Sequence, residues 1–110
     1  MCDFKILHHC EKGYVVQCER CEHIQLAFGT TMMVMDRAEF RNFRNAISEL
    51  AELHKNEPFP ESKSITLPTP CRQVHLVFSP KEAEVFNELL DQASLLLEAN
   101  EILCTNPKHI

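Results

Sequence analysis

Five side chains near the start of the chain have metal-ligand chemistry: His8, Cys10, Cys18, Cys21 and His23. Cys18 and Cys21 have the two-residue spacing that a tight knuckle brings together. Sulfurs on one tetrahedral zinc ion lie within about 4 Å of each other, so spacing and register decide which residues qualify. Cys10 is the obvious third ligand by sequence. If Glu11–Gly13 form a three-residue turn, however, Cys10 faces Tyr14, His8 faces Val16 and Ile6 faces Cys18. Cys10 and Cys18 are then about 13 Å apart along the ladder, at about 3.3 Å per residue. His8 is better placed, as a diagonal neighbour of Cys18 on one face. A loop over residues 19–23, with Cys18 opposite Ile24, would set Cys21 and His23 beside Cys18. The metal set predicted on this reading is Cys18, Cys21, His8, His23 and Cys10.

The same residues also fit plain packing. Cys10 and Cys18 share the predicted face of Phe4, Ile6, Tyr14 and Val16, and cysteine packs as a small apolar group. A redox role fits less well. Reactive Cys-x-x-Cys pairs sit at helix N-termini, whereas "CEHIQLAF" alternates like a strand. Glu19 and Glu22 flank the pair and disfavour a thiolate, with only Arg20 opposing them. Cys2, Cys71 and Cys104 are isolated and read as packing or surface residues.

The elements that would position these groups can be read from periodicity. Phe4–Cys10 alternates with period two, as do 14–18, "IQLAF" (24–28) and "TMMVM" (31–35), which predicts four strands. Gly29-Thr30 fits a two-residue hairpin loop with glycine first, placing Met33 and Met35 opposite Leu26 and Ile24. Phe40, Phe43, Ile47 and Leu50 follow a helical stripe behind Asp36, with Glu39 three residues on as a capping box. Ser79, Pro80 and Glu82 start a second helix over about 80–103, striped by Phe86, Leu89, Leu90, Ala93, Leu96 and Leu97. Between the helices, "SITLP" and "RQVHLVF" read as two further strands. "MDRAEFRNFRNAI" also aligns with "FSPKEAEVFNELL", which fits a duplicated ββα unit or two independently capped helices.

The predicted architecture is α+β: a mainly antiparallel sheet with two helices on one face, in the order ββββ-α-ββ-α. One domain covers residues 1–110, with a linker over 55–63 and a tail over 105–110. The expected core contains Ile24, Leu26, Phe28, Phe40, Phe43, Ile47, Leu50, Leu76, Phe78, Phe86 and Leu90.

The order C-x2-G-x4-C-x2-C-x3-Q-L-x-F-G is carried by Cys10, Gly13, Cys18, Cys21, Gln25, Leu26, Phe28 and Gly29. It resembles a small bacterial domain-of-unknown-function family found mainly in the Bacteroidetes group. The resemblance implies a free-standing small cytosolic protein and assigns no activity.

Composition narrows the function classes. The net charge is −5 with scattered basic residues, so no stripe for nucleic acid exists. No apolar run approaches the ~20 residues that span a bilayer, and the first residues lack the pattern of a signal peptide. A cytoplasmic location with reduced cysteines follows as the expectation. The chain has no G-x-S-x-G, phosphate loop or dinucleotide fingerprint, so an enzyme is not expected. The predicted function is a non-enzymatic binding or assembly module with no cofactor, and a homodimer through helix 80–103. Its alternative is a small zinc- or thiol-dependent protein using the His8/Cys18/Cys21 region.

Overall fold

A computed structural model describes residues 3–69 and 72–105. Four strands come first: β1 (Phe4–Cys10), β2 (Gly13–Cys18), β3 (Ile24–Phe28) and β4 (Thr31–Met35). Helix α1 (Arg37–Leu53), strands β5 (Ile65–Pro68) and β6 (His75–Phe78), and helix α2 (Pro80–Thr105) complete the order ββββ-α-ββ-α. The first four strands form an antiparallel sheet in sequence order, and β5 pairs with β6 in a separate two-stranded sheet. The expected α+β architecture is present, with the strands divided between two sheets.

Local chemistry starts both helices as the sequence implies. The Asp36 carboxylate accepts the Glu39 amide N–H at 2.8 Å, and the Glu39 carboxylate accepts the Asp36 N–H at 2.9 Å. Ser79 and Glu82 make the same reciprocal pair at 3.0 and 2.9 Å, with Pro80 at the first helical position. Helix α1 stops at His54, whose N–H reaches the Leu50 carbonyl and whose ring contacts Glu57 at 3.1 Å. Arg44 pairs with Asp91 at 3.0 Å and Arg37 with Glu101 at 3.0 Å, so the two helices run antiparallel.

The helices close over one face of the four-stranded sheet. Ile24, Leu26, Phe40, Phe43, Ile47, Phe78, Phe86 and Leu90 are buried as expected, with Phe28, Leu50 and Leu76 half-buried against them. Leu7, Val15, Met35 and Ile65 join that core. The ring of Phe86 stacks on Phe28 at 4.2 Å and meets Phe43 and Phe78 at 5.7 and 5.5 Å. Each of β3-β4-α1 and β5-β6-α2 is a hairpin followed by a boxed helix, and their matching residues Phe43 and Phe86 touch.

Register holds in one hairpin and fails in another. Gly29 takes φ 61°, and Met35 and Met33 face Ile24 and Leu26. In the first hairpin the turn is Glu11-Lys12, with Cys10 opposite Gly13 and His9 opposite Tyr14. A bulge at Leu7 then shifts the pairing, so that His8 faces Val15, Ile6 faces Val16 and Phe4 faces Cys18. Gly13 does not supply a positive φ. A Cβ there would sit 2.0 Å from the Ala27 carbonyl oxygen, so glycine permits the close approach of β2 to β3.

The outcome inverts the expected face. Val15 and Gln17 point into the core, opposite Leu26 and Ile24. Phe4, Ile6, Tyr14, Val16 and Cys18 lie on the outer side, with Met32 and Val34. The linker over 55–63 has neither helix nor strand and docks by the Lys81 N–H to the Pro60 carbonyl at 3.0 Å. The residues Cys2 and Cys71, and the tail beyond Thr105, lie outside the described residues.

Two measurements check this packing. Phe43→Ala should destabilise the fold by about 3–5 kcal/mol in denaturant unfolding, because it removes a buried ring from the Phe86 cluster. The second concerns the Glu82 cap. The Lys63 ammonium, then the Ser79 backbone N–H, hold the Glu82 carboxyl below its ordinary value of 4.5. A depressed folded pKa contributes stability that is present above 4.5 and lost as pH falls through the folded value. Glu82→Gln should therefore lower the melting temperature at neutral pH, with the gap closing as the pH falls below 4.5 and the Glu82 carboxylate takes up its proton.

Candidate metal centre at the β2–β3 turn

The turn between β2 and β3 is built by its main chain around Cys18. The Cys18 N–H donates to the His23 carbonyl at 2.9 Å, continuing the ladder one pair past Gln17–Ile24. Cys18 and His23 are thus cross-strand neighbours, and the loop is Glu19–Glu22 rather than 19–23. The Glu22 N–H donates to the Cys18 carbonyl at 3.0 Å, and the Glu19 N–H to the Asp3 carbonyl at 2.8 Å. Glu22 turns the chain back with φ 66°, the left-handed region that usually selects glycine. From the core side, buried Gln17 donates its Nε2 to the Glu22 carbonyl at 3.2 Å and holds that turn.

This fold of the loop brings the Cys21 amide N–H to within 3.5 Å of the Cys18 sulfur. Cys18 is buried and Cys21 is exposed. Together with His23 they line an outer-face recess of about 310 Å³, walled by Phe4, Gln25 and Val34. On the inner side, Arg37 contacts Glu22 at 3.3 Å and Glu101 at 3.0 Å, linking the loop to both helices.

The predicted ligands separate into two groups. Cys18, Cys21 and His23 share the recess. His8 pairs with Val15 and so lies on the opposite face from Cys18, because the bulge at Leu7 reverses the expected alternation. Cys10 is half-buried against the core at the Gly13 end. It stands six residues along β1 from Phe4, the partner of Cys18, or about 20 Å away. Among the described residues, no group of three or more His, Cys, Asp or Glu side chains is placed to hold a metal ion. Sequence reasoning missed Gln17, Glu22 and Phe4. The signal for Gln17 was its parity with Val15, overshadowed by the apolar set Tyr14, Val16 and Cys18.

The fold and this turn define a small α+β protein with a Cys-x-x-Cys turn at one corner of its sheet. The chain belongs to a family of unknown function, DUF6686, whose model matches residues 1–105. No curated protein and no solved structure matches it.

The left-handed residue gives a direct test of the loop geometry. Glu22→Gly should stabilise the fold by about 1 kcal/mol, since glycine has no Cβ to strain at positive φ. The lost ion pair with Arg37 is exposed and offsets little. Equilibrium unfolding of the two proteins measures the difference.

Proposed function

We propose that the protein is a non-enzymatic assembly module that forms a homodimer through the C-terminal half of α2. The observation that supports this is an uncovered apolar stripe on that helix. Leu95, Ile102 and Leu103 are 63%, 65% and 71% exposed, and Leu96 is 41% exposed. Leu95, Ala99 and Ile102 follow i, i+4, i+7 spacing, which places them on one side of the helix. Leu90, Ala93 and Leu97 mark its buried side. Helix α2 spans 26 residues against 17 for α1, about 39 Å against 26 Å, so its partner helix is too short to cover it.

A stripe of this kind suits an antiparallel pairing of two identical helices across a twofold axis, in which the same residues meet themselves. The outer sheet face adds a second apolar area through Ile6, Met32 and Val34, where an antiparallel sheet facing water ordinarily carries polar residues. Among the described residues no helix is long and apolar enough to cross a membrane. The reading places the module in the cytoplasm, where thiols stay reduced.

Multi-angle light scattering at micromolar concentration should give the mass of two chains. Leu95→Glu combined with Ile102→Glu should give one chain, with the circular dichroism spectrum unchanged. A monomeric wild type overturns the dimer, and a dimer that survives the double substitution overturns its assigned interface.

A further inference from the structure

We infer that Cys18 and Cys21 form a dithiol that closes reversibly into a disulfide across the β2–β3 turn, so that this corner of the sheet responds to oxidation. The inference is independent of the assembly reading and stands on different residues.

The backbone of the turn brings the pair within reach of each other. The Cys21 amide nitrogen lies 3.5 Å from the Cys18 sulfur. The Cys21 Cα is one bond of about 1.46 Å further on, so it lies within about 5 Å of that sulfur. At that range, rotation of the Cys21 side chain about its Cα–Cβ bond brings its sulfur towards Cys18. The Glu22 N–H on the Cys18 carbonyl, at 3.0 Å, closes an α-turn around both cysteines and holds their separation. A tight turn keeps residues three apart within about 7 Å at Cα, and disulfides span about 4.4–6.8 Å. Both residues open onto one recess, where Cys21 is exposed and Cys18 is buried. A disulfide needs two sulfurs and no further ligand, which is what this recess supplies.

Their unequal exposure sets the order of steps with a low-molecular-weight disulfide as oxidant. The Cys21 thiolate attacks one sulfur of that disulfide, whose S–S bond breaks and releases one thiolate. Cys18, having given its proton to solvent, attacks the Cys21 sulfur of the mixed disulfide and expels the second thiolate. The pair loses two electrons and two protons, and the oxidant becomes two thiols. Reactive pairs of disulfide oxidoreductases open a helix, whereas this pair follows a strand. The bond therefore alters the protein's own turn and is not passed to a substrate. It ties Cys18 to the residue before left-handed Glu22, at the corner where Arg37 links the loop to α1 and α2. In a reducing compartment the pair stays as thiols, and oxidation fixes the corner.

The test uses the full reduced chain, equilibrated with glutathione and glutathione disulfide in set ratios. Remaining thiols are alkylated and the chain is digested with trypsin. Arg20 lies between the two cysteines, and each of the six cysteines falls in a different tryptic peptide. Peptides 13–20 and 21–37 therefore stay joined when Cys18 and Cys21 are bonded to each other. Mass spectrometry should find that joined pair, lighter than its two parts by two hydrogen atoms, and dithiothreitol should separate it. Cys18→Ser should instead keep glutathione on Cys21. The equilibrium constant for closure should be on the order of tenfold larger in the folded chain than in guanidinium, because the folded turn already holds the loop closed. Circular dichroism confirms the fold in each state, and the wild-type measurements stand even if Cys18→Ser unfolds. A folded wild type that stops at glutathione on Cys21 overturns the proposal. So does Cys21 joined to the peptide of another cysteine, or closure no more favourable in the folded chain than in guanidinium.

Discussion

The ring of Phe86 is where the two halves of the chain meet. It stacks on Phe28 from β3 and meets Phe43 from α1 and Phe78 from β6, while its own backbone belongs to α2. Among the described residues no backbone ladder joins the four-stranded sheet to the β5–β6 pair. Their relative placement therefore depends on side-chain packing, and this aromatic cluster lies at its centre. Buried aromatic groups suit that role because each ring contributes a large apolar area and offset or edge contacts favour particular geometries.

The inner face of the sheet follows from the same packing. Ile24, Leu26, Met35 and Val15 must point towards the helices, and every second residue of their strands then points away. This leaves Phe4, Ile6, Tyr14, Met32 and Val34 on the outer side. The bulge at Leu7 lets β1 follow β2 with Leu7 directed into the core and Phe4 and Ile6 directed outwards. One extra residue thus changes which histidine can approach the cysteines. It separates His8 from Cys18 and leaves His23, across the ladder, in its place.

The corner at Cys18 combines features from several parts of the chain. Gln17 secures the turn from the core, Asp3 receives the Glu19 amide, and Arg37 connects Glu22 to Glu101 near the end of α2. The exposed stripe of α2 begins at Leu95, close in sequence to Glu101, so Arg37 joins this corner of the sheet to the proposed dimer helix. Such surface ion pairs are individually weak. The rigidity of the corner rests more on the main-chain bonds around Cys18 than on these charges.

The sequence by itself determined the elements and their order. Capping boxes at Asp36/Glu39 and Ser79/Glu82, helical stripes and period-two runs are local signals, carried by residues a few positions apart. The β3–β4 register was equally legible, because Gly29 selects the turn and the turn selects the pairing. Tertiary structure alone decided which face of β1 and β2 is buried. The more apolar side, Tyr14, Val16 and Cys18, faces outwards, while Gln17 is accepted in the core because it satisfies the Glu22 carbonyl. It also decided that Cys18, Cys21 and His23 share one recess while His8 and Cys10 lie away from it. That choice depends on a bulge and on a left-handed glutamate, and each exists because distant strands and helices hold the backbone there against its local preference.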